Sequence, residues 1–264
     1  MDIAILGCGP AGLLAAHAGR LLGHEVMIFS KKQRSQMRGA QYMHHHIPGL
    51  PTEASVKLAY VLHGEIDSYR TKVYGDNTYD DIAVSPQLFV GFHEAWNIRQ
   101  AYNTLWKKYN GLIVNTSITQ DILHRIVGGF DVCLSTIPAP LLCYQNHQFH
   151  DVKVWIDNTW HGPDPVMNHE YYGTPHVVLC NGLPYDKHHV RQTGWYRTSL
   201  IYSHANTEWI SKSDAIPTTA KQITKPLTTD CDCWPTIIRA GRYGEWRKGV
   251  LTHNAFETAL EAFN

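Results

Sequence analysis

The chain has 264 residues, and its 23 Lys and Arg offset 23 Asp and Glu to a formal charge of zero. With 44% hydrophobic and 17% charged residues it can bury a substantial core, which excludes a disordered chain and a broad polyanion-binding surface. The 17 His titrate near neutrality, so net charge is expected to rise quickly on mild acidification.

Residues 3–6 read as an apolar strand that starts almost at Met1. No basic segment and long apolar stretch precede it, and no later apolar run approaches eighteen residues, so neither a secretory signal nor a membrane span is expected. The turn Gly7-Cys8-Gly9-Pro10-Ala11-Gly12 follows, then a helix over 13–22 and a strand over 25–29, which together make one βαβ unit. A second α/β stretch is expected over 96–138. It comprises a helix through Ile98, Ala101, Leu105 and Tyr109, a strand at 112–115, a short helix near 118–126, and a strand at 131–135 entered by a Gly128-Gly129 turn.

From 141 to 234 the texture changes to short β-prone runs, such as 152–156 and 176–180, broken by Pro, Gly and Asn; this predicts a small, mainly antiparallel lobe. The last thirty residues return to a strand at 236–239, glycine-rich turns and a helix over 252–263. The expected organisation is therefore an α/β dinucleotide-binding domain over 1–140 and 235–264, with a substrate lobe over 141–234. The six cysteines are scattered over a long chain, which points to a reducing cytoplasm. Cys231-Asp-Cys233 is a paired cysteine motif without a second such pair, so no metal site is expected there.

Gly7, Gly9 and Gly12 fill a G-x-G-x-x-G pattern between a strand and a helix. The first permits the tight turn, the second lets backbone approach a pyrophosphate, and the third allows close helix–strand packing, with the helix N-terminus favouring the anion. The second strand usually ends in an acid that holds ribose hydroxyls, but here Ser30 fills that slot, followed by Lys31, Lys32, Arg34 and Arg38. On the residues alone this basic stretch recognises the extra phosphate of NADP, contacts a cofactor diphosphate, or is a solvated loop.

Three further segments carry a family resemblance. Gly7-Cys8-Gly9-Pro10-Ala11-Gly12-Leu13 resembles the opening of FAD-dependent oxidoreductases, with Gly39-Ala40-Gln41-Tyr42 at the place of their post-strand glycine motif. The run from Phe130 through Thr136 to Pro138, and the C-terminal Ala240-Gly241-Arg242-Tyr243-Gly244-Glu245-Trp246-Arg247, are similar to segments of the amine oxidase and UDP-galactopyranose mutase branch. The resemblance implies a Rossmann-like FAD-binding fold and a noncovalent FAD. Its adenine end would lie near Ser30 and Lys31, and its diphosphate on Gly9, Pro10, Ala11 and Gly12. Its ring system would lie between Arg38, Gly39, Ala40, Gln41 and Tyr42 on one side and Gly241, Arg242, Trp246, Gly249, Val250 and Leu251 on the other, with Thr136 nearby.

His44, His45 and His46 follow that loop. In a strand His44 and His46 would share a face, and with Tyr42 they are the candidate catalytic residues; no further ligands at zinc spacing accompany them. Tyr42, Trp160, Tyr185, Trp195, Tyr196 and Trp209 offer aromatic walls for an apolar, water-poor cavity of the kind that hydride abstraction needs. Arg197 is an anchor for a carboxylate or phosphate. The substrate-binding candidates are therefore Trp160, Tyr185, Tyr196 and Arg197. A lobe so small leaves the site open, fit for an amine or an amino-acid group on a larger molecule, a modified nucleic-acid base included. The leading expectation is oxidation of a C–N bond with FAD. The alternatives are a non-redox flavin mutase acting on a sugar nucleotide, using Arg191 and Arg197; an NADP-dependent reductase, using Ser30, Lys31 and Lys32; and a flavin-binding module without catalysis.

Overall fold

A computed structural model describes residues 1–35, 37, 39, 41–50, 55–74, 84–162, 173–210 and 216–264. In chain order its strands are β1 (Asp2–Leu6), β2 (Glu25–Ser30), β3 (Tyr42–Met43), β4 (Val56–Gly64), β5 (His93–Asn97), β6 (Ile113–Asn115) and β7 (Val132–Ser135). They continue as β8 (Phe149–Asp157), β9 (Val177–Gly182), β10 (Trp195–Ile201), β11 (His204–Trp209), β12 (Lys221–Thr229) and β13 (Ile237–Arg239).

The first sheet is wholly parallel, in the order β13-β7-β1-β2-β6. Ile3, Ala4, Ile5 and Leu6 of β1 are all fully buried, as a continuous apolar run in a central parallel strand should be. Ile3 and Ile5 pack with helix α1 (Pro10–Leu21) and the terminal helix Asn254–Phe263, while Ala4 and Leu6 pack on the opposite face with Leu123 and Ile126. Within α1, His17 is a core residue: its Nε2 donates to the Pro48 carbonyl at 2.9 Å and its Nδ1 accepts from the Tyr109 hydroxyl at 2.7 Å. Helices α2 (Ile66–Tyr74), α3 (Ile98–Tyr109) and α4 (Gln120–Gly129) complete the layer structure. The Asn97 side chain caps α3 by accepting from the Arg99 and Gln100 amides. Gly128 and Gly129, expected as a turn, are instead the last residues of α4, whose Leu123 and Ile126 bury one face; the chain leaves the helix at Phe130.

The second sheet runs β12-β8-β11-β10-β9-β4-β5-β3, with every pair antiparallel except β4 with β9. Its five strands from the 141–234 stretch, β8 to β12, pair only antiparallel among themselves, as expected, but β3, β4 and β5 from before residue 141 extend the sheet to eight strands, more than the five of the first. The sequence reading assigns no element between His46 and Trp96. Leu58, Ala59 and Tyr60 at the centre of β4 are all buried, so the strand lacks the alternation that marks a half-exposed one. No helix among the described residues is long and apolar enough to cross a membrane.

Candidate active site

The loop between β1 and α1 is shaped by glycines with separate duties. Gly7 has φ +105°, a conformation that favours glycine. A Cβ on Gly12 would stand 2.0 Å from the Gly7 carbonyl oxygen, so only glycine lets α1 approach the strand end this closely. Gly9, the residue before α1, is different: a Cβ there would meet only Ser35 Oγ, at 3.3 Å. No side chain caps α1 at this end, Pro10 opens it, and its first turn holds no acid. The amides of Ala11 and Gly12 lie in that first turn, where no intrahelical acceptor is available, so this helix end offers donors and partial positive charge to an anion.

A cavity of about 790 Å³ opens beside it, within the usual range of small-molecule sites. Its first wall comes from the parallel sheet: Gly7, Gly9, Pro10 and Ala11, then Ser30 at the end of β2 with Lys31, Gln33 and Arg34 beyond it, and Thr136 beyond β7. Thr136 donates from its hydroxyl to the Leu6 carbonyl at 3.0 Å, tying the carboxyl ends of β7 and β1 together. This is the crevice outside the strand ends, where connections depart to either side of β1. Gly241, Arg242, Val250, Leu251 and His253 form the far end.

One face of the second sheet makes the opposite wall, with Tyr60, Arg197, Glu208, Ile156, Ile223 and Lys225 brought together by strand register. Arg197 and Glu208 are direct cross-strand partners, joined at 2.6 Å, and Lys225 Nζ donates to the same carboxylate at 2.5 Å. Tyr196 donates to it as well. Burial alone would push the Glu208 carboxyl up, but Arg197 and Lys225 together outweigh that and hold it well below the usual carboxylate range. Burial lowers Lys225 to about 8 against the pull of Glu208. Five basic side chains, Lys31, Arg34, Arg197, Lys225 and Arg242, line the cavity together with this one carboxylate, so its field favours an anionic ligand.

Tyr42 and Tyr60 share a hydrogen bond between their hydroxyls, and burial raises both above the ordinary phenol value. His44 packs against the Tyr42 ring at 4.8 Å and is lowered to about 4, first by burial and then by His253 and its other cationic neighbours. Gln41 reaches the same space while its amide donates to the His204 carbonyl.

The expected residues do not all meet here. Strand β3 ends at Met43, so alternation does not extend through the histidines: His44 lines the cavity, whereas His46 is exposed and lies beside Trp96. His45, also exposed, stacks on His253 at 4.6 Å. Trp160 packs with the buried cluster of Leu179, Trp195 and Trp209, and Tyr185 stands exposed on the loop after β9, so neither reaches the cavity. Tyr196 is buried behind it, acting through Glu208. Trp246 is held by its indole N–H to the His150 carbonyl at 3.0 Å, and Gly249 at φ +83° turns the chain; neither is a lining residue. Gly39 lines the cavity, while Arg38 and Ala40 fall outside the described residues, as does the Arg191 side chain.

Tyr60, Glu208, Lys225 and His253 were missed by sequence reasoning. Glu208 carried a signal, being a lone acid in the otherwise uncharged strand segment Ala205-Asn206-Thr207-Glu208-Trp209.

The cavity fits FAD on three observations. They are the space beside Gly9 at an uncapped helix N-terminus, the basic side chains at the β2 end, and His253 Nδ1, which is buried at the far end with no hydrogen-bond partner among the described residues.

No sequence family matches the chain, and no curated protein is similar enough in sequence to count as a relative. Solved structures do resemble it. Reduced UDP-galactopyranose mutase aligns at a TM-score of 0.57 and 11% identity, covering 99% of this chain and 93% of that one. CtdE, solved with FAD and a substrate, aligns at 0.55 and 12%, covering 98% and 79%. The p-nitrophenol 4-monooxygenase PnpA of Pseudomonas putida DLL-E4 aligns at 0.51 and 11%, covering 99% and 78%. The likeness extends to a mutase and a monooxygenase alike, so it singles out no amine oxidase branch. What it establishes is that the chain has the Rossmann-like fold of FAD-binding flavoproteins.

Proposed function

We propose that the chain is an FAD-dependent oxidoreductase that takes a hydride from a carbon bearing an amine, on a substrate that also carries a carboxylate or phosphate. The observation that carries this reading is the single cavity joining the glycine turn of β1 to the Tyr42, His44 and Arg197 cluster. Bound there, FAD supplies a two-electron acceptor. Gly9, Ala11 and Gly12 would hold its diphosphate, Ser30 and Lys31 its adenosine end, and Val250, Leu251 and His253 its ring edge.

The chain's own groups then orient the substrate. Arg242 and Arg197 attract its anionic group, with Glu208 fixing the Arg197 guanidinium in place. Tyr42 and Tyr60 keep their protons at neutral pH, and of the two hydroxyl hydrogens one is left for the substrate. His44 is uncharged above about pH 4, so it accepts a hydrogen bond from a substrate ammonium without adding repulsion. An amino-acid group meets these demands, free or attached to a larger molecule such as a modified nucleic-acid base.

A second reading, a flavin mutase acting on a sugar nucleotide, is favoured by one observation: Arg197, Lys225 and Arg242 line the same cavity, and a substrate diphosphate needs such a group. Absorbance of the purified protein and anaerobic mixing with candidate substrates test both. Flavin bands bleached by an amino acid and restored by air are expected. Bleaching by NADPH alone would replace amine oxidation with a reductase or hydroxylase. Sugar-nucleotide isomerisation by the pre-reduced protein, with no bleaching by amines, would establish the mutase. Purified protein without flavin bands, and unable to take up added FAD, would overturn both.

A further inference from the structure

Outside the cavity lining, four side chains converge that the sequence did not connect. Cys231-Asp-Cys233 lacks a second cysteine pair, but the fold brings Cys143 and His147 to it, and the four donor atoms all lie within 4.8 Å of one another. We propose that Cys143, His147, Cys231 and Cys233 bind a zinc ion that fixes two of the connections between the sheets, those from β7 to β8 and from β12 to β13.

The spacings among Cys143, His147 and Cys233 match the edges of a tetrahedron, and Cys231 Sγ lies within 4.8 Å of all three. Zinc bonds of about 2.3 Å to sulfur and about 2.0–2.1 Å to nitrogen place ligand atoms about 3.8 Å apart for two sulfurs and about 3.6 Å for sulfur and nitrogen. Here Cys143 Sγ is 3.9 Å from Cys233 Sγ, and His147 Nδ1 lies 3.4 Å from Cys143 Sγ and 3.5 Å from Cys233 Sγ. A disulfide between those two sulfurs would need them about 2.0 Å apart.

The surroundings are those of a ligand set. His147 turns Nδ1 to the sulfurs, and its other nitrogen, Nε2, faces the Asp232 carboxylate at 3.3 Å. That carboxylate selects the tautomer that leaves Nδ1 free to ligate. Arg239 donates to Cys231 Sγ at 3.3 Å and to the Cys231 and Cys233 carbonyls at 2.9 and 2.8 Å. Three thiolates on a divalent ion leave one negative charge, and the guanidinium balances it. The Cys143 thiol donates to the Gln145 carbonyl at 2.9 Å, a bond that ligation replaces. Four protein ligands leave no open position, which is the mark of a structural site.

Its place explains what such a site would do. Cys143 and His147 lie on the connection from β7 to β8, and Cys231 and Cys233 on the return from β12 to β13. Since β7 pairs with β13 and β8 with β12, the ion would clamp the outgoing and returning segments where they pass from one sheet to the other.

Metal analysis of the full-length protein, purified without chelator, tests this. About one zinc per chain is expected, falling to about a tenth or less in the Cys231→Ser/Cys233→Ser double variant and unchanged in Cys133→Ala, whose thiol lies outside the cluster. Should the double variant fail to fold, cobalt loaded into the wild-type protein decides: ligand-field bands of tetrahedral cobalt thiolate are expected, shifted in His147→Asn. Wild-type protein without zinc and without those cobalt bands, zinc retained in full by the double variant, or an intact mass two daltons low from a disulfide within the cluster would each overturn the proposal.

Discussion

At the scale of single residues, Gly12 and Glu208 are the sharpest tests of the cavity. Gly12→Ala places a methyl group 2.0 Å from a backbone oxygen that cannot swing aside, so α1 must shift from the end of β1. Purified Gly12→Ala is expected to lose its flavin absorbance while keeping its far-ultraviolet circular dichroism; full flavin content would remove the assigned cradle. Glu208 is 1% exposed and carries the charges of Arg197 and Lys225. Glu208→Gln leaves two half-buried cations without their counter-charge, and denaturant unfolding should show a loss of about 1–3 kcal/mol. A change under about 1 kcal/mol would mean that water, rather than the carboxylate, solvates those cations.

At the scale of elements, the terminal helix couples packing to the site. Its Ala255, Phe256, Ala259 and Phe263 are buried at helical spacing, and α1 is the helix it packs against. His253, the residue before its first turn, closes the far end of the cavity. Phe263→Ala should cost about 3–5 kcal/mol by thermal or denaturant unfolding and should also weaken FAD retention, although the residue lies a whole helix away from the cavity. Loss of stability with unchanged flavin affinity would show that the two ends of this helix are uncoupled. The βαβ unit and this helix were legible from sequence because their apolar residues repeat at helix and strand periods and glycines punctuate them. Strand β4 was not, since Leu58, Ala59 and Tyr60 are buried on consecutive positions and its partner β9 is remote in sequence. The cavity divided in the same way. Gly7, Gly9 and Thr136 belong to local motifs, whereas Arg197, Glu208 and Lys225 meet only through cross-strand register, which no local spacing encodes. The aromatic candidates Trp160 and Tyr185 failed because an aromatic side chain serves a core or a loop as readily as a cavity wall.

At the scale of the molecule, the histidine content acts differently from what composition implies. Burial lowers His17, His44, His176 and His253, so these four resist the protonation that 17 histidines would otherwise bring on mild acidification. Above about pH 6.5 such a group is neutral in both folded and unfolded chains and has no effect. As pH falls below that value the unfolded chain takes up the proton first, and stability declines; for His44 the window runs down to about 4. Unfolding free energy should therefore fall between pH 7 and pH 4, and His44→Gln should make that fall shallower; an unaltered slope would exonerate His44. The pairing of β4 with β9 bears on time rather than on energy. It joins segments more than a hundred residues apart, and the cavity draws walls from residues 7–11 and 250–253. Loop closure over such distances costs entropy before any contact repays it, which makes this a slow-folding topology. During refolding, helical signal should recover well before flavin is captured, because the pocket is complete only when the two ends of the chain have met.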